Sequence, residues 1–230
     1  MEFRDRHVVV TGGTGALGIA LVGALLDAGA TCHVSYRDAA EAERFPHRAH
    51  AQAKLVEVKS LSEEADVAAL YGSVGMLWAS VHLAGGYAMG KVAETSKTDL
   101  IKLMETNFVT AFLCGREAVK AMKSGGRIVN VAARPATEWR TGAGMAAYTA
   151  SKAAVASLTA ALAEEVAKDG ILVNAVAPSI MDTPANRKAM PKADFSAWPK
   201  VEEVAATILF LASPANTVTR GAIVPVYGKS

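Results

Sequence analysis

The stretch Val8-Val9-Val10-Thr11-Gly12-Gly13-Thr14-Gly15-Ala16-Leu17-Gly18 decides how the rest of the chain is read. A short β-branched run ends in glycines, and Ala16 to Ala28 then carries a helical pattern that stops at Gly29. This reads as strand, tight loop, helix. Glycines at 12, 15 and 18 let backbone come close to a pyrophosphate, and the free N–H groups of the helix N-terminus favour its negative charge. A glycine-rich turn alone is a weak signal, but a strand before it and a helix after it are the context a dinucleotide cradle needs. Gly12, Thr14, Gly15, Ala16, Leu17 and Gly18 are therefore the candidate phosphate-binding residues.

The same alternation continues along the chain. After the first strand at 7–10, strands are expected at 31–36, 53–58, 79–84, 126–132, 171–175 and 222–226, with helices at 39–44, 63–71, 97–123, 145–168 and 201–211. The strands are apolar throughout, as they are when helices cover both faces of a sheet. The expectation is one α/β domain over 1–230: a Rossmann-type, doubly wound parallel sheet of about seven strands with helices on both faces. The long irregular stretch is 178–200, with prolines at 178, 184, 191 and 199, and its length suggests a lid over a binding site.

Composition sets outer limits. With 230 residues, 51% of them hydrophobic and a net charge of +2, the chain can bury a substantial core and shows no basic stripe for nucleic acid or a membrane surface. Cys32 and Cys114 stand far apart without other ligands at metal spacing, which reads as buried thiols. His47 and His50 read as a solvated pair rather than a metal site. No apolar run approaches a membrane span and no signal peptide is evident, so a reducing, cytoplasmic setting is the default expectation.

A second constellation lies at Tyr148-Thr149-Ala150-Ser151-Lys152. On a helix, positions i and i+4 share a face, so a phenol and an ammonium stand together. The lysine charge is expected to favour the phenolate and bring proton exchange closer to neutral pH. At the end of the second strand, where an acidic residue would grip a ribose 2′-hydroxyl, the chain has Tyr36-Arg37, with Asp38 slightly late. Arginine suits a 2′-phosphate, so NADP(H) is favoured over NAD(H).

With Thr11-Gly12, Gly15, Gly18, Asn107, Tyr148, Lys152 and Pro178 in this order, the chain resembles the short-chain dehydrogenase/reductase family over nearly its full length. The resemblance implies that Tyr148 is the proton donor and that Lys152 lowers its pKa and holds the nicotinamide ribose. Asn107 resembles the asparagine that supports a proton-relay water. Thr183 looks like the threonine that contacts the nicotinamide carboxamide or the phosphates, and Ala84, Gly85 and Gly86 would stand against the cofactor.

Two departures concern the substrate. Where the family usually has two asparagines before Ala-Gly, this chain reads His82-Leu83-Ala84-Gly85-Gly86. Where the strand after Val129-Asn130 usually ends in two serines, it reads Ala132-Ala133, which removes the hydroxyl that would bond the substrate oxygen. Losing one such donor costs on the order of 3 kcal/mol of transition-state stabilisation. Either Thr137 or Thr141 reaches in from the following loop, or the substrate does not need that donor.

A narrower resemblance favours the second option. Gly15-Ala16-Leu17-Gly18, Ala84-Gly85-Gly86, Gly144-Met145 and the run from Asp182 to Trp198 look like the dihydropteridine reductases, which also have alanine at the serine position. This implies hydride transfer to a quinonoid dihydropterin or a similar electron-poor heterocycle. The alternatives are a carbonyl or 3-oxoacyl reductase of the same family and a non-catalytic dinucleotide sensor. Ala133, Tyr87, Trp139 and Trp198 are the candidate walls for a small flat substrate, although aromatics at such positions commonly serve packing. The helix bearing Tyr148 has alanine on nearly every face, which suggests burial against a second copy in a homodimer or homotetramer.

Overall fold

The computed structural model describes residues 2–230. Seven parallel strands form one sheet: β1 (His7–Thr11), β2 (Thr31–Tyr36), β3 (Ala53–Glu57), β4 (Leu77–His82), β5 (Gly126–Val131), β6 (Ile171–Pro178) and β7 (Ile223–Val226). Their order is β3-β2-β1-β4-β5-β6-β7, with every neighbouring pair parallel. This is the doubly wound sheet expected from the alternation, because each parallel neighbour requires a crossover and a helix makes it.

The side chains of β1 show how the core divides. Val8 and Val10 point into one cluster with Leu21, Val22 and Leu25 of α1 (Ala16–Asp27), while Val9 points into the other with Val67, Leu70 and Leu113. Successive residues of a strand alternate faces, so three adjacent valines supply both cores. On the first face α1 packs beside α8 (Val201–Ala212); on the second lie α3 (Glu64–Gly72), α5 (Thr110–Ala121) and α6 (Ala146–Glu165). The short α2 (Ala39–Arg44) follows β2.

Three details differ from the sequence expectation. The segment 97–123 is not one regular helix: α4 (Lys97–Met104) joins α5 through a π-helical turn at Glu105–Val109 that contains Asn107. The stretch 178–200 is not wholly irregular. Thr183 caps α7 (Pro184–Ala189), with proline at the first helical position where its missing N–H is harmless. Finally, β4 begins at Leu77 and ends at His82, two residues earlier at each end than expected.

Winding reverses at β1, whose neighbours are β2 on one side and β4 on the other. Ligands of open α/β sheets bind in the crevice outside the strand ends at such a switch point. The loops after β1 and β4 meet there. Gly12 has φ +66° and lies so close to the β4 loop that a Cβ on it would stand 2.7 Å from the Ala84 nitrogen. Only glycine permits both the left-handed backbone and this approach.

Candidate active site

A cleft of about 310 Å³ opens at this switch point. Gly12, Gly15, Ala16, Leu17 and Gly18 form one wall, and Gly85, Gly86, Tyr87, Ala133, Tyr148 and Lys152 form the other. Pro178, Ser179, Met181 and Thr183 approach from the β6 side. No side chain caps the N-terminus of α1, where Gly15 is the N-cap. Its first backbone N–H groups are thus free to meet phosphate oxygens, and a glycine cradle with an uncapped helix start fits a dinucleotide pyrophosphate. Thr14 is not among the residues that line the cleft, and its hydroxyl donates to Glu41 Oε2 at 3.0 Å.

Asn107 organises the opposite wall. Its Oδ1 accepts from the Gly86 N–H at 2.8 Å, and its Nδ2 donates to the Gly86 carbonyl at 3.0 Å and to Ser151 Oγ at 2.9 Å. Ser151 in turn donates to the Tyr148 carbonyl. One buried amide therefore holds the β4 loop and α6 in a fixed relation. Gly85 sits against it: a Cβ there would come within 2.8 Å of Asn107 Oδ1 and 3.2 Å of Lys152 Nζ.

Lys152 is buried, and its Nζ donates to the Val131 carbonyl at 2.8 Å. Desolvation lowers its pKa to about 8. Tyr148 moves the other way from the sequence expectation. Burial, with a smaller contribution from Tyr87, pushes its phenol up to about 12, so it stays protonated at neutral pH. The lysine charge does not prevail because the ammonium is turned onto Val131 while the phenol is taken out of water.

The remaining candidates are scattered. Ala133 lines the cleft, as does Tyr87, whose ring stands edge-on to that of Tyr148. Trp139 is 74% exposed and lies over α6 beside Ala146 and Ala150, in a different depression. Trp198 is 8% exposed and packs on Phe195, outside the cleft lining. Neither tryptophan forms the substrate wall expected of it, since nearness in sequence to Tyr148 or to the lid does not place a side chain at the crevice. Thr137 and Thr141 also miss the cleft, their hydroxyls donating to the Arg134 and Glu138 carbonyls of their own turns. Tyr36 ends β2 half-buried, and Arg37 lines a neighbouring cavity of about 540 Å³ with Tyr87 and Asp99. Asp38 caps α2 through the Ala40 N–H. In the lid, Arg187 pairs with Asp182 through two hydrogen bonds of 2.6 and 2.8 Å. Ser179, Met181 and Leu83 line the cleft without having been singled out, because nothing in their spacing marks them.

Residues 6–194 match the short chain dehydrogenase family model. The chain belongs to the short-chain dehydrogenase family. Membership makes it an NAD(P)-dependent oxidoreductase. It is 33% identical to the galactitol 2-dehydrogenase of Rhizobium johnstonii across 96% of this chain and 93% of that one. It is 31% identical to the 2,3-dihydroxy-2,3-dihydro-p-cumate dehydrogenase of Pseudomonas putida across 100% of this chain and 96% of the relative. Among solved structures, ElxO with NADP bound superposes with a TM-score of 0.86 at 26% identity, covering 97% of each chain. No helix among the described residues of this short-chain dehydrogenase is long and apolar enough to cross a membrane.

Proposed function

We propose that this short-chain dehydrogenase reduces a flat, electron-poor ring of the quinonoid dihydropterin class, with Tyr148 as proton donor. The observation that carries this reading is Ala133, which lines the cleft where the family resemblance expects a serine, while Thr137 and Thr141 spend their hydroxyls elsewhere. A quinonoid ring gains aromatic character on accepting hydride, so it asks less of hydrogen-bond donors than a ketone does. The resemblance of the lid, from Asp182 to Trp198, to the dihydropteridine reductases points the same way.

The bound nicotinamide provides the hydride. Gly12 to Gly18 would hold the pyrophosphate, Lys152 the nicotinamide ribose, and Thr183 the nicotinamide carboxamide or the phosphates. Burial keeps the Tyr148 phenol protonated at neutral pH, so it carries the proton that the reduced ring must receive. NADP(H) is favoured over NAD(H) because Arg37 follows β2 and makes no ion pair among the described residues. Buried free thiols at Cys32 and Cys114 suit a reducing, cytoplasmic setting. Ala146, Ala150, Ala160 and Ala161 of α6 are exposed in the single chain, as are Ile101 on α4 and Phe112 on α5, helices that contact α6. We assign this apolar surface to a homodimer or homotetramer.

A second reading is a carbonyl reductase or secondary alcohol dehydrogenase. It is favoured by the relatives named for galactitol and for 2,3-dihydroxy-2,3-dihydro-p-cumate, both hydroxylated compounds. The test is the initial rate of NADPH and NADH oxidation with freshly generated quinonoid 6,7-dimethyldihydropterin, beside a panel of ketones. The pterin reading expects turnover that falls about a hundredfold or more in Tyr148→Phe. Turnover of ketones alone would replace it with the second reading.

A further inference from the structure

Four of the residues that line the cleft carry a hydroxyl: Tyr87, Tyr148, Ser179 and Thr183. Ser179 donates to the Tyr227 carbonyl and accepts from Ser230 Oγ, so its proton is committed. Thr183 accepts the Asn186 N–H as the cap of α7 and belongs to the lid. The Tyr87 hydroxyl has no hydrogen bond among the described residues. Its ring meets that of Tyr148 edge-on, with centroids 5.0 Å apart and planes at 81°. The two phenols also sense each other, since a charge on Tyr87 would raise the pKa of Tyr148.

The backbone under both rings is fixed by the same side chain. Asn107 binds the N–H and the carbonyl of Gly86, the residue before Tyr87, and reaches the Tyr148 carbonyl through Ser151. Tyr87 is 59% exposed, so its hydroxyl is open to an incoming ligand, while the backbone that carries it is fixed before the substrate arrives. From these observations we propose that the Tyr87 hydroxyl is the second hydrogen-bond donor to the substrate, in the role left empty by Ala133. The donor would meet a ring oxygen or nitrogen of a heterocycle, or the oxygen of a carbonyl, beside the atom that Tyr148 protonates. The inference rests on the proposed role of Tyr148 and holds for either acceptor.

Tyr87→Phe removes the oxygen and keeps the ring against Tyr148. With quinonoid 6,7-dimethyldihydropterin and with cyclohexanone as probes, kcat is expected to fall on the order of a hundredfold, as for loss of one oxyanion donor. KM should stay within about threefold, because the donor matters most as charge develops. Dissociation constants for NADPH and NADH, read by cofactor fluorescence, should not change and confirm that the variant is folded. A loss of kcat smaller than about tenfold would mean that only the ring matters and would overturn the proposal. Tyr148→Phe, measured in parallel, separates the two ideas. If it is inactive while Tyr87→Phe is not impaired, the proton-donor reading stands and this one falls. If the native chain turns over neither probe, or Tyr148→Phe keeps its activity, the underlying reading fails and this inference goes with it.

Discussion

Lys152 Nζ donates a 2.8 Å hydrogen bond to the carbonyl of Val131, the last residue of β5. The ammonium is thereby held at the end of the sheet, where the cleft begins, at a cost in desolvation that lowers its pKa to about 8. An unfolded lysine titrates near 10.4, so between pH 8 and that value the unfolded chain binds a proton that the folded chain does not. The lysine's contribution to stability therefore rises with pH across this window. Lys152→Met should abolish activity and also remove this rise. Cys32, Cys114 and Tyr148 act oppositely at alkaline pH, since burial raises all three pKa values. The measurement is accordingly the difference between native and Lys152→Met unfolding free energies at pH 7, 8 and 9. A difference that does not change with pH would contradict the assignment.

His82, which stands where the family usually has asparagine, ties α3, β4, β5 and α6 together from below the cleft. Its Nδ1 lies 2.7 Å from Asn130 Oδ1, and Asn130 Nδ2 donates to Thr159 Oγ1. The amide orientation makes Nδ1 the protonated nitrogen and leaves Nε2 to accept from Ser80, 2.8 Å away. Burial lowers the imidazole pKa to about 4, against the opposing effect of Asn130. For a folded pKa below the unfolded value of about 6.5, stability is present above the unfolded pKa and is lost as pH falls toward the folded one. This one group should therefore cost the fold about 2 kcal/mol between pH 7 and pH 5. Denaturant unfolding at the two pH values, for the native chain and His82→Asn, isolates it from His33, whose pKa burial also lowers to about 4. Equal acid sensitivity in both proteins would show that His82 is not the group responsible.

How much of this was legible in the sequence depended on whether a feature was local. The strand, glycine loop and helix at 8–28 and the Tyr148/Lys152 pair are local patterns, and they stand as expected at one cleft. The cap of α7 was visible as Thr183-Pro184, a helix start signal that the neighbouring prolines obscured. The π-helical turn at Asn107 was not legible, because one extra residue in a turn leaves the apolar period almost intact. Relations between distant segments were out of reach: Thr14 bonding to Glu41, Arg37 and Tyr87 lining one cavity, and Trp139 lining a depression other than the crevice depend on how loops fold over one another. The direction of the Tyr148 shift failed for the same reason. Spacing puts a lysine on the same helix face, but the Val131 carbonyl that claims its ammonium lies on another element.

On the proposed preference for NADP(H), cofactor choice turns on charges around the end of β2. Asp38 is committed to the α2 cap, Arg37 is exposed and makes no ion pair among the described residues, and the Glu41 carboxylate stands at 3.0 Å from the Thr14 hydroxyl at the glycine loop. Arg37→Ala should weaken NADPH binding by about tenfold, the lower end for a hydrogen bond to a charged group, and leave NADH within about twofold. Glu41→Gln should strengthen NADPH relative to NADH by removing a negative charge near a 2′-phosphate. Fluorescence titration of both cofactors against the three proteins reads the ratio directly. An unchanged NADPH affinity in Arg37→Ala would assign 2′-recognition to another residue.

Asn107 is the residue whose loss should be felt in both stability and activity. Replacing it by alanine leaves the Gly86 N–H and carbonyl and the Ser151 hydroxyl without their partner. At about 1–3 kcal/mol for each buried group left unsatisfied, a destabilisation of about 2 kcal/mol or more is expected. Asn107→Asp keeps an acceptor for the Gly86 N–H but loses both donated bonds, so it should fall between alanine and the native chain. Because the released loop carries Gly85, Gly86 and Tyr87, cofactor affinity and kcat should decline together in both variants. Thermal unfolding and cofactor titration on the same samples check this coupling. If stability falls while cofactor affinity is untouched, Asn107 only supports the helix in which it sits, and the link it makes between Gly86 and α6 does not govern the site.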